Sequence, residues 1–112
     1  LTSKGKGAVE VSKMAYTAAT MSASGIVDSD ATLIICNSGS TLALDLSNGT
    51  TVGEFKIFTN KNSGKAVVTP QNFTGSLSAF EVPQNRATQC VWDGTNWFMI
   101  NGSDSTTNVK LI

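Results

Sequence analysis

The chain has 112 residues, with eight basic residues, eight acidic residues and no histidine. This is the length of one domain, and the balanced charge argues against a strong overall field that would attract nucleic acid or an anionic membrane. No apolar run approaches the ~20 residues that a membrane-spanning helix needs. Ser, Thr, Asn and Gly together make up 46 residues, a composition typical of strands and turns.

The first thirty residues have no single clear pattern. Met14, Ala18 and Met21 are spaced as on one face of a helix, whereas the many Ser, Thr and Ala residues around them fit an extended chain equally well. We interpret residues 1–30 as an N-terminal arm that contains a weak strand. Residues 31–112 are then the β-domain.

From residue 31 onward, short runs with a two-residue period alternate with turn residues, which predicts a series of strands. The predicted strands are 32–37, 41–46, 54–59, 65–69, 77–82, 88–92 and 97–100. Asn48-Gly49 predicts a type I′ turn, and hence a hairpin between the second and third of these strands. Pro70 and Pro83 are expected to end strands because proline has no N–H for a sheet ladder.

The end of the chain contains the clearest hairpin. Residues 93–96 (DGTN) form a turn signal between two strands that both carry aromatic residues, which can pack across the pair. Val109, Leu111 and Ile112 predict a short additional strand at the terminus.

Together these patterns predict an all-β fold, specifically an antiparallel β-sandwich or jelly-roll-like domain of about six to eight short strands with an N-terminal arm. No helical pattern is present that would form βαβ crossovers. Only 16 residues are charged, so the strand edges are weakly guarded. We therefore expect association with further copies of the chain, most simply as a homotrimer.

No catalytic constellation can be assembled from the residue types present. The Ser and Thr residues have no histidine to activate them, and neither Lys65 nor Lys110 stands in a Ser-x-x-Lys motif. Asp28 and Asp30 resemble half of a calcium loop, but the remaining ligands do not follow, so a polar turn is the favoured interpretation. We predict no enzyme activity, no catalytic, cofactor-binding or metal-binding residues, and no cofactor.

Two further groups of residues leave alternatives open. Cys36 and Cys90 each lie in a predicted strand, where free buried thiols are favoured over a disulfide between them. Trp92, Trp97 and Phe98 surround the last turn, where aromatic rings either stack on sugars or pack in a core. Core packing is favoured, and exposure of the two tryptophan rings decides the question.

The stretch from residue 51 to 101 resembles small β-rich virion domains of tailed phages, especially marine ones. The elements that carry the resemblance occur in order: 53–57 (GEFKI), 66–70 (AVVTP), the pair Asn72-Phe73, and 93–100 (DGTNWFMI). They cover about half of the chain. Residues 83–86 (PQNR) depart from the pattern, and residues 1–30 have no counterpart in it.

The resemblance implies a non-catalytic structural role in a virion. Domains of this kind occur as capsid decoration proteins, head fibres and parts of tail fibres, commonly as trimers. The expected function is that of a decoration (cement) protein on the exterior of a tailed-phage head, bound to the major capsid protein, with no nucleic-acid or membrane partner. The alternatives are a tail-fibre or head-fibre segment, or a carbohydrate-binding module that uses Trp92 and Trp97.

Overall fold

The fold was described from a computed structural model of the chain, which describes residues 2–4, 8–10, 13–75, 77–100 and 110–112. These residues form strands and connecting loops, with no helix among them. The strands are β1 (Thr2–Lys4), β2 (Ala8–Glu10), β3 (Ala18–Met21), β4 (Gly25–Ile26), β5 (Leu33–Cys36), β6 (Leu42–Leu46), β7 (Phe55–Asn60), β8 (Ala66–Pro70), β9 (Phe80–Val82), β10 (Ala87–Trp92), β11 (Trp97–Met99) and β12 (Lys110–Leu111).

Ten of these strands form two five-stranded sheets. The first has the order β11-β10-β7-β5-β3 and the second the order β12-β9-β8-β6-β4, while β1 and β2 pair with each other. From β3 to β8 the chain alternates between the sheets, and the strands within each sheet are parallel. The chain therefore makes three stacked coils, β3–β4, β5–β6 and β7–β8, before β9 to β12 add antiparallel strands.

The predicted all-β class is confirmed, and two sheets that enclose one core are consistent with a β-sandwich. The seven strands predicted between residues 32 and 100 all form, as β5 to β11, with bounds that differ by at most three residues. Both sheets are mixed, however, so the expectation of antiparallel pairing throughout was wrong. A jelly-roll arrangement is not confirmed.

The hairpin predicted at Asn48-Gly49 does not form, because β6 and β7 lie in different sheets. Neither residue has the positive φ of a type I′ turn. Gly49 instead lies against the indole of Trp92, where an added Cβ would be 2.4 Å from Cγ of that ring. The glycine is needed for this close approach rather than for a reversal of the chain.

The hairpin predicted at the end of the chain is confirmed. β10 and β11 pair antiparallel with Trp92 opposite Trp97. Gly94 adopts a φ of 103°, which favours glycine. Asp93 Oδ1 accepts hydrogen bonds from the backbone N–H groups of Thr95 and Asn96, at 2.9 and 2.8 Å, so the turn is held by the aspartate side chain.

Part of the predicted arm belongs to the two main sheets. β3 pairs in parallel with β5, and β4 with β6, so the sheets begin at Ala18 rather than at Ala31. The division of the chain into an arm and a separate domain stays a prediction. Of the predicted terminal strand, Val109 lies outside the described residues, and β12 begins at Lys110.

The core lies between the two sheets and is formed by the inward side chains of both. Its largest fully buried members are Trp97, Phe58, Phe80, Ile34, Leu42, Leu44, Val68 and Val82. The central strand β7 also places two polar side chains inward. Lys56 and Asn60, toward opposite ends of β7, are both 3% exposed and donate to backbone carbonyls of neighbouring loops and of β9.

Candidate interaction face

Among the described residues, no charged side chain lies on the outward side of the strands in the β11-β10-β7-β5-β3 sheet. Strand alternation and register place on it Ala18, Thr20, Leu33, Ile35, Phe55, Ile57, Thr59, Ala87, Gln89, Val91 and Phe98. We call this set the neutral face. Eight of its eleven members are apolar, and the other three are Thr20, Thr59 and Gln89.

Aromatic and branched side chains dominate one end of the neutral face. Tyr16 packs edge-on against Phe55, with ring centroids 5.4 Å apart. Val91 pairs with both Phe55 and Phe98 in the ladder, and Phe98 is 38% exposed. An exposed apolar surface of this kind is typical of a protein contact.

The outward side of the other sheet is different in character. Ala43, Val67, Glu81 and Lys110 lie in one row across four strands, and Asp45 lies opposite Thr69 in the next. Charged side chains therefore interrupt this surface. The two outer faces of the sandwich are unequal, and the neutral face is the better candidate for burial against a partner.

The size of the neutral face limits what it can do alone. Five strands about 4.8 Å apart and about five residues long at about 3.3 Å each cover roughly 400 Å². Burial of that area contributes about 10 kcal/mol at ~25 cal/mol per Å², which is comparable with the ~4–15 kcal/mol cost of association. A standard interface buries about 800 Å² per partner, so a stable complex needs contacts beyond this face.

The two tryptophans are part of the core, which confirms the favoured interpretation. Trp92 is 5% exposed and Trp97 is fully buried, with ring centroids 5.4 Å apart and ring planes at 55°. The indole N–H of Trp97 donates to the carbonyl of Ser47 at 3.0 Å. A carbohydrate-binding module would need both rings in solvent and roughly coplanar, and the structure presents neither condition.

Cys36 and Cys90 are buried free thiols, as expected. Cys36 lies opposite Asn60 and Cys90 opposite Lys56 on β7, so they are about 13 Å apart along the strand direction. A disulfide requires Cα atoms within about 7 Å. Burial raises the thiol pKa of Cys36 to about 11 and that of Cys90 to about 12, so both are protonated and unreactive near neutral pH.

The acidic residues singled out in the sequence lie in turns. Asp28 Oδ1 accepts a hydrogen bond from the backbone N–H of Asp30 at 2.9 Å, which is a polar turn rather than a calcium loop. Hydrogen bonds from the backbone N–H groups of Asn96 and Thr95 lower the pKa of Asp93. Among the described residues, no group of three or more Cys, Asp or Glu side chains is placed to hold a metal ion.

A groove of about 400 Å³ lies where β4, β6 and β8 end. Its lining residues are Ile26, Asp45, Leu46, Ser47, Thr69, Pro70 and Gln71. Asp45 is the single ionisable residue in that lining. Sequence reasoning missed this groove because the parallel pairing that brings the three strand ends together has no local signal.

Comparison of the chain with protein-family models, with curated proteins and with solved structures gave no match. In the part of the chain that the structure describes, no helix is long and apolar enough to cross a membrane.

Proposed function

We propose that this chain is a non-catalytic structural protein that attaches to other protein subunits through the neutral face. The single observation that carries the proposal is that the described strand residues place no charged side chain on one outer face of the sandwich and several on the other. Desolvation of charged side chains opposes association unless they are paired, and this face has none to desolvate. Burial of its apolar side chains contributes favourably to the free energy of association.

We further propose that the subunits belong to a virion and that the protein decorates the exterior of a tailed-phage head. The support is the ordered resemblance to small virion domains. Its segments correspond to the start of β7, to β8, and to the turn and strand of the last hairpin. The partners are then two further copies of the chain in a homotrimer and the major capsid protein, whereas a head-fibre or tail-fibre segment is the alternative.

The modest size of the neutral face suits this role. A decoration protein binds a shell at many equivalent positions, so each contact can be weak while the assembled shell is stabilised by mass action. The estimated burial of roughly 400 Å² per copy is below that of a standard interface. A trimer brings three such faces to one attachment point and multiplies the binding through avidity.

Imaging of particles carrying a labelled copy of the protein tests the location. Regularly spaced label over the head supports decoration, and label confined to the tail or to single projecting fibres supports the alternative. Particles that incorporate no label would overturn the virion proposal.

A matched pair of substitutions tests the neutral face itself. Ile57→Lys places a charge at the centre of this face on β7, whereas Val67→Lys places one on the opposite outer face on β8. Both residues are half-buried and point outward from central strands. We expect Ile57→Lys to abolish co-sedimentation of the protein with undecorated capsids while Val67→Lys leaves it intact, and equal binding of the two variants would contradict attachment through the neutral face. A wild-type protein that is monomeric at high micromolar concentration would contradict self-association.

A further inference from the structure

The two ends of the sandwich carry opposite charges, although the chain as a whole is neutral. β3, β5 and β7 run in one direction, and the chain returns through β4, β6 and β8 in the other sheet. Loops 27–32 and 47–54 and turn 93–96 therefore share one end. Loops 37–41, 61–65 and 83–86 share the other end.

The first of these ends is acidic. It carries Asp28, Asp30 and Asp93, all exposed, and the half-buried Glu54. The cation nearest to them along the strands is Lys56, which is buried. Lys13 also precedes β3 on this side, so these four acidic residues face two cations among residues 13–100 of this end. We call this surface the acidic end.

The second end is basic. It carries Lys61 and Lys65, both exposed, and loops 37–41, 61–65 and 83–86 contain no Asp or Glu. We call this surface the basic end. The balanced composition hides this separation because the sandwich sorts residues that are far apart in the sequence.

The basic end is an ordered platform. The backbone N–H of Gly64 donates to the carbonyl of Ser38 at 2.9 Å. Gly64 also lies so close to Ser40 that an added Cβ would be 2.0 Å from the carbonyl oxygen of Ser40. The side chain of Asn60 donates to the carbonyls of Gly64 and Val82, both at 2.8 Å. Ordered loops lower the entropic cost of presenting their charges to a partner.

The acidic end is also held in place by hydrogen bonds to one oxygen of each of three carboxylates. Between the residues that the structure describes, these bonds go to Oδ1 of Asp28, to Oδ1 of Asp93 and to Oε1 of Glu54. A carboxylate has about four acceptor sites. Acceptor capacity therefore remains at this end for an incoming lysine or arginine.

We infer that copies of this protein associate end to end, with the basic end of one copy against the acidic end of the next. Complementary surfaces at opposite ends of one molecule form a heterologous contact, which repeats as an open row unless it closes into a ring. The contact is separate from the neutral face, which points sideways from such a row. Copies attached through the neutral face can therefore also bind neighbouring copies through their acidic and basic ends.

The contact is expected to be weak and sensitive to salt. Ion pairs between exposed side chains contribute about 0.2–1 kcal/mol each, which corresponds to about a 1.4- to fivefold change in dissociation constant per pair. The Debye length falls from about 30 Å at 0.01 M salt to about 3 Å at 1 M. End-to-end association should therefore appear at low ionic strength and disappear at high ionic strength.

Sedimentation equilibrium of the full chain at about 0.02 M and 0.5 M salt tests the inference. We expect the average mass at low salt to rise with concentration above the value at high salt. Lys65→Glu should suppress this rise, whereas the same substitution on the sheet face, Lys110→Glu, should not. An average mass that is insensitive to salt, or equal effects of the two variants, would overturn the proposal.

A charge exchange identifies the partner as a second copy. Lys61→Glu with Lys65→Glu makes the basic end acidic, and Ser29→Lys with Asp30→Lys reverses the acidic end while Asp28 keeps its turn. Neither double variant should associate end to end alone, but an equimolar mixture should regain the association. A mixture that stays at the high-salt mass would show that these ends do not bind each other. Because the neutral face is unchanged, this failure would leave the proposed function standing.

Discussion

Lys56 places an ammonium group inside the sandwich, where it donates hydrogen bonds to backbone carbonyls. Nζ lies 3.0 Å from the carbonyl oxygens of Asp28 and Ser29 and also donates to that of Ala31. Three donors thus meet three acceptors, which offsets the cost of burying the charge. The Lys56 side chain thereby holds the loop between β4 and β5 against β7, the central strand of the β11-β10-β7-β5-β3 sheet.

Replacement of Lys56 by Met should therefore destabilise the fold. The three carbonyls would lose a charged donor, and we expect a loss of about 2–4 kcal/mol in the free energy of unfolding. Lys61→Met, at an exposed position, is the control and should change it by less than about 0.5 kcal/mol. Urea denaturation measures both variants. Equal denaturation midpoints for the two variants would contradict this expectation, because the desolvation cost of the buried ammonium would then equal the contribution of its hydrogen bonds.

The two buried thiols predict how stability depends on pH. Their folded-state pKa values of about 11 and about 12 lie above the ordinary 9.0. Below pH 9 both states bind the thiol protons, so the thiols add no pH dependence. Between pH 9 and 11 the unfolded chain alone releases them, so stability falls by up to about 1.4 kcal/mol per pH unit for each thiol.

Urea denaturation at pH 8, 9, 10 and 11 measures this fall, and a Cys36→Ala, Cys90→Ala variant provides the comparison. The variant should start from a lower stability, because truncation leaves small cavities, but should lose less stability per pH unit. Identical slopes would show that the two thiols do not cause the alkaline loss.

At the level of elements, β3 is the edge strand that sequence analysis assigned only to a loose arm. The carbonyls of Thr17 and Met21 accept hydrogen bonds from Leu33 and Asn37. Since alternate residues of a strand direct their backbone groups to the same side, Ala19 also faces β5. The backbone groups of Ala18 and Thr20 then point to the open edge.

Proline substitutions can distinguish the two sides of β3. Ala19→Pro removes a donor to β5, so we expect it to lower the free energy of unfolding by about 1–3 kcal/mol. Thr20→Pro removes an N–H at the open edge, where proline is tolerated, and should have a much smaller effect. Thermal melting compares the two. A larger effect of Thr20→Pro would indicate that this edge is covered by another strand.

At the level of the whole molecule, the stacked coils make the two sheets depend on the segment before residue 31. Val27 is 3% exposed and belongs to the core, and Met21 packs against that core. β3 and β4 cover the edges of β5 and β6. An arm ordered mainly by a partner would be dispensable for folding, whereas this segment contributes to both sheets.

Deletion of residues 1–30 should therefore destabilise the protein. The truncated chain would lose β3, β4 and Val27, and two inner strands would become edges. We expect a lower melting temperature and a shallower transition than for the full chain, measured by circular dichroism. A truncated protein that melts at the same temperature would restore residue 31 as the start of an independent domain.

Much of this protein's local structure was determined by its sequence alone. Two-residue periodicity placed β5 to β11, proline ended β8 and β9 at the predicted points, and Asp93 with Gly94 specified the last turn. Burial of Trp97 and of both cysteines followed from their strand positions. Each of these properties has a signal in the residue types and spacing of one short segment, so a local pattern predicts it.

Only the tertiary structure decided which strands pair. A buried strand has the same alternation whether its neighbour is parallel or antiparallel, so the pattern could not show that β6 crosses to the second sheet instead of folding back. The neutral face, the groove and the two charged ends all follow from that pairing. They join residues such as Ala18, Leu33 and Ile57 in one row, and no local rule connects positions so far apart in the chain.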